Sequence, residues 1–119
     1  MYELFKTDRR GRGCNFPALK VSPRGVGWIN KATTDMIPDL AGHCQLFYDR
    51  DARKIGIKLG VGAHEAGAKK IQHREGRTVF IAFRGFLQHF EIDIPPQGTG
   101  PLPITYNTEE RFIEVPLKW

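Results

Sequence analysis

No stretch of this sequence approaches the roughly 20 consecutive apolar residues that a membrane-spanning helix needs, so no membrane association is expected. The opening Met1-Tyr2-Glu3-Leu4-Phe5-Lys6 has neither a long apolar core nor a small-residue cleavage site. It does not read as a signal peptide, and a cytoplasmic protein is the expectation. Cysteine is scarce: Cys14 and Cys44 are the only two, and they form no Cys-x-x-Cys pair. That excludes a disulfide framework and favours two reduced thiols. The segment Gly62 to Lys70 is the nearest thing to a phosphate-binding loop. It fails because Ala68 follows Gly67 where Lys is needed, and Lys70 stands where Ser or Thr would hold the metal. His64-Glu65 lacks a second His at helical spacing, so no zinc-protease motif exists. Adjacent His43-Cys44 is a poor chelating pair. The carboxylates Asp49/Asp51 and Glu109/Glu110 fall in expected turns, where solvation explains them better than acid–base chemistry. No cofactor, no metal and no catalytic residue is expected, and the chain does not read as an enzyme.

What remains is an ordinary globular composition with 119 residues, 40% hydrophobic and 26% charged. Residues 1–119 therefore read as a single domain able to bury one core. Leu19 to Ser22 alternates like a strand, Pro23-Arg24-Gly25 is a turn, and Val26 to Asn30 is a second strand. Asn30 can cap a short helix from Lys31 to about Leu40, with Pro38 ending or distorting it near Ile37. Gln45–Asp49 and Lys54–Leu59 form a hairpin whose Ile55, Ile57 and Leu59 share one face. Residues 60–68 are small and Gly-rich and read as a linker. Lys69–His73 and Thr78–Ala82 are strands, Phe83 to about Phe90 is a helix, and residues 93–103 form a Pro/Gly loop. Ile104–Asn107 and Arg111–Val115 close the chain as a hairpin.

The second half repeats the first. At an offset of 58, Tyr48, Arg53, Ile55, Ile57 and Leu59 match Tyr106, Arg111, Ile113, Val115 and Leu117. At an offset of 52, Trp28-Ile29-Asn30 matches Phe80-Ile81-Ala82. The six-residue difference is an insertion carried by the Pro/Gly loop, where insertions are tolerated. The expected fold is mainly β (α+β): a pseudo-two-fold small β-barrel from two β-β-α-β-β repeats, about 17–60 and 69–118, preceded by a basic arm at 1–16. The aromatics Trp28, Phe80, Phe83, Phe86 and Phe90 are expected in the core.

The order strand, Gly-turn, strand, short helix, hairpin resembles the swapped-hairpin fold of AbrB/SpoVT-type DNA-binding proteins. Residues 20–31, Lys-Val-Ser-Pro-Arg-Gly-Val-Gly-Trp-Ile-Asn-Lys, and then His43 to Leu59 carry the likeness over about 40 residues. The resemblance implies DNA binding and a dimer-like body, with one chain supplying both copies. The product would be a monomer or a homodimer of fused pairs.

Net charge is +5 and uneven, with 15 Lys/Arg against 8 Asp/Glu in residues 1–77 and 3 against 5 thereafter. Such asymmetry suits a polyanion. Arg9, Arg10 and Arg12 on the arm could neutralise phosphates or enter a minor groove. Lys20, Arg24 and Lys31 flank the first Gly-turn, and Lys69, Lys70, Arg74 and Arg77 flank its counterpart. A pseudo-two-fold could bring both groups to one face, against a duplex backbone. Each could equally be a solvated charge guarding a strand edge. The expected partner is nucleic acid, with double-stranded DNA favoured. A protein partner is the alternative, met by a small adaptor or inhibitor module through the loop at 94–101.

Overall fold

The computed structural model describes residues 16–38, 40–74 and 78–118. Its strands are β1 (Ala18–Val21), β2 (Val26–Ile29), β3 (His43–Asp49), β4 (Lys54–Val61), β5 (Lys69–Lys70), β6 (Gln72–Arg74), β7 (Thr78–Ala82), β8 (Leu102–Pro103), β9 (Thr105–Asn107) and β10 (Phe112–Pro116). Two short helices, α1 (Lys31–Met36) and α2 (Arg84–His89), follow β2 and β7. The strands form two antiparallel five-stranded sheets, ordered β6-β7-β2-β1-β8 and β5-β3-β4-β10-β9. The mainly β expectation is met. A closed barrel is not found, because each ladder ends in two edge strands.

Alternation builds one core between the sheets. Leu19, Val21, Ile29, Val79 and Ile81 face inward from the first sheet, and Cys44, Ile55, Ile57, Leu59, Ile113 and Val115 from the second. Ile37 and Leu40 after α1, and Phe83, Phe86 and Leu87 around α2, join the same cluster. At Gly27 the first sheet presents no side chain inward, and the fully buried Phe83 ring fills the space; a Cβ there would overlap it.

Helix α1 starts and stops for identifiable reasons. The Asn30 side chain accepts from the Thr33 N–H at 3.1 Å and the Thr33 hydroxyl at 2.7 Å. The same oxygen accepts from the Ala18 N–H at 3.0 Å, tying the cap to β1. Ile37 closes the helix one residue before Pro38, which lacks an amide donor to continue it.

Several residues related by the 52- and 58-residue offsets meet or take matching geometry in the fold. Trp28 and Phe80, 52 apart in sequence, stand directly opposite each other in the central β2–β7 pair. Gly56 and Glu114, 58 apart, do the same in the central β4–β10 pair. The hairpin turns also match. Asp49 Oδ1 accepts from the Ala52 N–H and Asn107 Oδ1 from the Glu110 N–H, both at 3.1 Å. Arg53 and Arg111 both adopt the left-handed conformation. Leu59 N–H donates to the Arg111 carbonyl at 2.9 Å, and Leu117 N–H to the Arg53 carbonyl at 2.8 Å.

Two segments cross between the sheets, where the sequence predicts one strand over 69–73 and, after a loop ending at 103, one strand over 104–107. Residues 69–74 leave the edge of one sheet as β5 and enter the edge of the other as β6, pivoting at buried Ile71. Residues 102–107 do likewise as β8 and β9, pivoting at buried Ile104. The Pro/Gly loop before β8 is tied down rather than free. Thr99 N–H donates to the Val21 carbonyl, and Thr99 Oγ1 accepts from the Val21 N–H, both at 2.9 Å.

Candidate nucleic-acid interface

Register sets the outward face of the β6-β7-β2-β1-β8 sheet. Lys20 lies opposite Trp28, Trp28 opposite Phe80, and Phe80 opposite Gln72. Residues opposite each other share a face, so these four form one row across four strands. Lys20 and Gln72 are exposed, and both aromatic residues are half-buried. The Trp28 and Phe80 ring centroids are 5.0 Å apart with planes inclined at 42°, within the favourable range for an aromatic pair. Arg74, exposed and two residues beyond Gln72, adds a cation at the β6 edge. The next pair along the same face, Val26 and Ala82, is small. None of the five strands of this sheet carries Asp or Glu.

This corrects the expectation that Trp28 and Phe80 are core residues. Gly27 and Ile29 take the inward positions of β2, and Val79 and Ile81 those of β7, which leaves Trp28 and Phe80 outward. Alternation carries the signal: Ile29 beside Trp28, and Val79 and Ile81 on either side of Phe80, take the inward face and turn each aromatic outward.

The remaining basic residues are dispersed. Arg24 is exposed in the tight turn from Ser22 to Val26, where Gly25 N–H donates to the Ser22 carbonyl at 2.9 Å and Gly25 has φ +87°. A Cβ at Gly25 would press on Arg84 at 2.9 Å, so the turn needs glycine both for its left-handed backbone and for its approach to α2. Arg24 and Arg84 line one cleft of about 630 Å³ with Gln88, Glu91 and Asp93, so cations and carboxylates mix there. Lys31 opens α1 and bonds Asp35 at 3.0 Å, with both side chains 64% exposed. It lines a second cleft, of about 380 Å³, that also includes His73 of β6.

Lys69 and Lys70 do not join the first sheet. They lie opposite Cys44 and His43 on β3, at the edge of the other sheet and on the far side of the Ile71 pivot. Burial pushes the Cys44 thiol up to about 11, against a lowering by the Lys69 charge. A thiol held protonated in this way is a poor nucleophile at neutral pH. Arg9, Arg10, Arg12, Arg77 and Cys14 lie outside the described residues. Among the described residues, no cluster of three or more His, Cys, Asp or Glu side chains could hold a metal ion, and no helix is long and apolar enough to cross a membrane.

Comparison with family models, with curated proteins and with solved structures finds no match to this chain.

Proposed function

We propose that this chain is a cytoplasmic, non-enzymatic nucleic-acid-binding protein, that DNA is the polyanion it takes, and that the outward face of the β6-β7-β2-β1-β8 sheet is its contact surface. One observation carries the reading: Lys20 and Arg74 flank an aromatic pair on a sheet whose strands bear no carboxylate. Among the described residues the strands of this face hold cations without interspersed anions, which concentrates positive potential that attracts phosphates and releases their counterions. Many carboxylates of the chain lie elsewhere, with Asp49, Asp51, Glu109 and Glu110 at the hairpin turns of the other sheet. Arg24, Lys31 and the sequence's Arg9, Arg10 and Arg12 extend the basic set. Lys69, Lys70 and Arg77 are secondary to it.

The architecture fits two fused β-β-α-β-β copies around a pseudo-two-fold axis through the Trp28–Phe80 and Gly56–Glu114 pairs. The matched turns support this, and so do the segments that cross between the two sheets at Ile71 and Ile104. Fluorescence anisotropy on a labelled mixed-sequence DNA, at low and near-physiological salt, tests the proposal. Binding should weaken with salt, with a log–log slope of several units. Absence of binding at low salt would overturn it.

A second reading, a protein-binding module, rests on Phe47. That side chain is 46% exposed on the other sheet, with its ring centroid 6.0 Å from that of Phe112. A single stoichiometric partner that survives nuclease treatment and is lost in Phe47→Ser would favour it.

A further inference from the structure

We infer that the nucleic acid taken by this face is an unpaired strand whose bases stack on the Trp28–Phe80 pair, in place of the duplex that the basic turns and arm alone suggest. The inference rests on the nucleic-acid reading above and specifies its ligand. A duplex presents phosphates and groove edges and keeps the flat faces of its bases stacked inside. Two half-buried rings at the middle of a sheet find no stacking partner on its surface. An unpaired strand offers base faces, and aromatic side chains set in a positively charged groove are the general solution for holding one.

The layout of the face fits that chemistry. The rings occupy the centre of the row, with the Lys20 ammonium at one end and the Gln72 amide at the other. Arg74 sits beside Gln72, so cations flank the rings from β1 and from β6. A backbone running across the strands would pass phosphates near Lys20 and Arg74 while its bases meet the rings between them. Val26 and Ala82 beside the pair are too small to cover it. The outward face of the other sheet does not offer the same: there Glu114 lies opposite Gly56, 3.6 Å from Lys54, and Asp49 lies opposite Lys54. Its aromatic pair is interleaved with carboxylates that repel phosphate.

Trp28 is its own reporter. The sequence has two tryptophans, Trp28 and Trp119, so the full chain bearing Trp119→Phe leaves one indole. Titrate it at low salt with a mixed-sequence DNA strand of about 20 nucleotides and, separately, with that strand annealed to its complement. The strand should bind at least about tenfold more tightly than the duplex and quench Trp28. Phe80→Leu should weaken strand binding by about 5- to 150-fold, the range expected for losing one stacked base, with salt-dependent duplex binding retained. Trp28→Phe, measured by anisotropy, should keep most of the affinity, so that a folding defect in a harsher variant cannot mimic the result. Equal binding of strand and duplex, or an unchanged Trp28 emission at saturation, would overturn this inference and leave the nucleic-acid reading standing. No binding of either would overturn both.

Discussion

The two sheets share one core and one plan, yet their outward faces differ in charge. Each has a central antiparallel strand pair, β2–β7 in one and β4–β10 in the other, and each shows two outward aromatic rings. On the β6-β7-β2-β1-β8 sheet the rings are Trp28 and Phe80, flanked by Lys20, Gln72 and Arg74 with no carboxylate in any strand. On the β5-β3-β4-β10-β9 sheet the rings are Phe47 and Phe112, and Lys54 is compensated by Glu114. Each sheet thus shows one outward aromatic pair, and the two pairs stand in different charge settings. The fold requires the inward residues on both sheets and leaves the outward ones open to specialise.

The largest expected difference between the sheets concerns their inner and outer glycines. Gly27 faces the fully buried Phe83 ring, which has nowhere to move. Gly27→Ala should cost about 1–3 kcal/mol by overpacking, read as a lower denaturant midpoint. Gly56 lies under the Phe112 ring on the outer face, which can swing toward solvent. Gly56→Ala should therefore cost less than Gly27→Ala; an equal or larger loss would contradict the assignment of inner and outer faces.

Charge reversal sharpens the comparison at the level of function. Lys20→Glu with Arg74→Glu should weaken nucleic-acid binding at least about tenfold and reduce the log–log salt slope by roughly 1.4 to 1.8, the value of two lost phosphate contacts. Lys54→Glu with Lys58→Glu on the other sheet removes as much charge and should leave the slope nearly unchanged.

Smaller is the pH response at the inner face of the second sheet. The Cys44 thiol is raised from 9.0 to about 11 by burial, against the opposing Lys69 charge. Between those values the unfolded chain loses its proton while the folded one keeps it, so stability falls as pH rises. The loss should be on the order of 1 kcal/mol by pH 10 and should be absent in Cys44→Ala, as followed by thermal melts across pH 8–11. The smallest effect belongs to Glu114→Gln. Its ion pair with Lys54 is 3.6 Å long and about half exposed, and its loss should cost at most about 1 kcal/mol in denaturant melts.

Much of the inner architecture was legible in the sequence because alternation and repeat agree there. Ile55, Ile57 and Leu59 announce their strand, Pro38 ends α1, and the 52- and 58-residue offsets identify the residues that pair at the two sheet centres. The outer face was less legible. Trp28 reads as core until Gly27 is seen to be the inward position, filled by Phe83 from after the next strand. Lys69 and Lys70 read as neighbours of Arg74 until Ile71 is seen as a pivot between sheets. Thr99 reads as a loop residue, although its hydroxyl satisfies the Val21 amide 78 residues away. Each of these depends on contacts distant in sequence, which local pattern does not encode.

Whether the sheet whose strands lack carboxylates is the nucleic-acid surface can be read residue by residue. The most direct test is an amide and side-chain NMR titration with a short DNA strand. Shifts should concentrate at Lys20, Trp28, Phe80, Gln72 and Arg74, with the Phe47–Phe112 face unmoved. Shifts centred on Phe47 and Phe112, or none at saturating strand, would contradict that assignment.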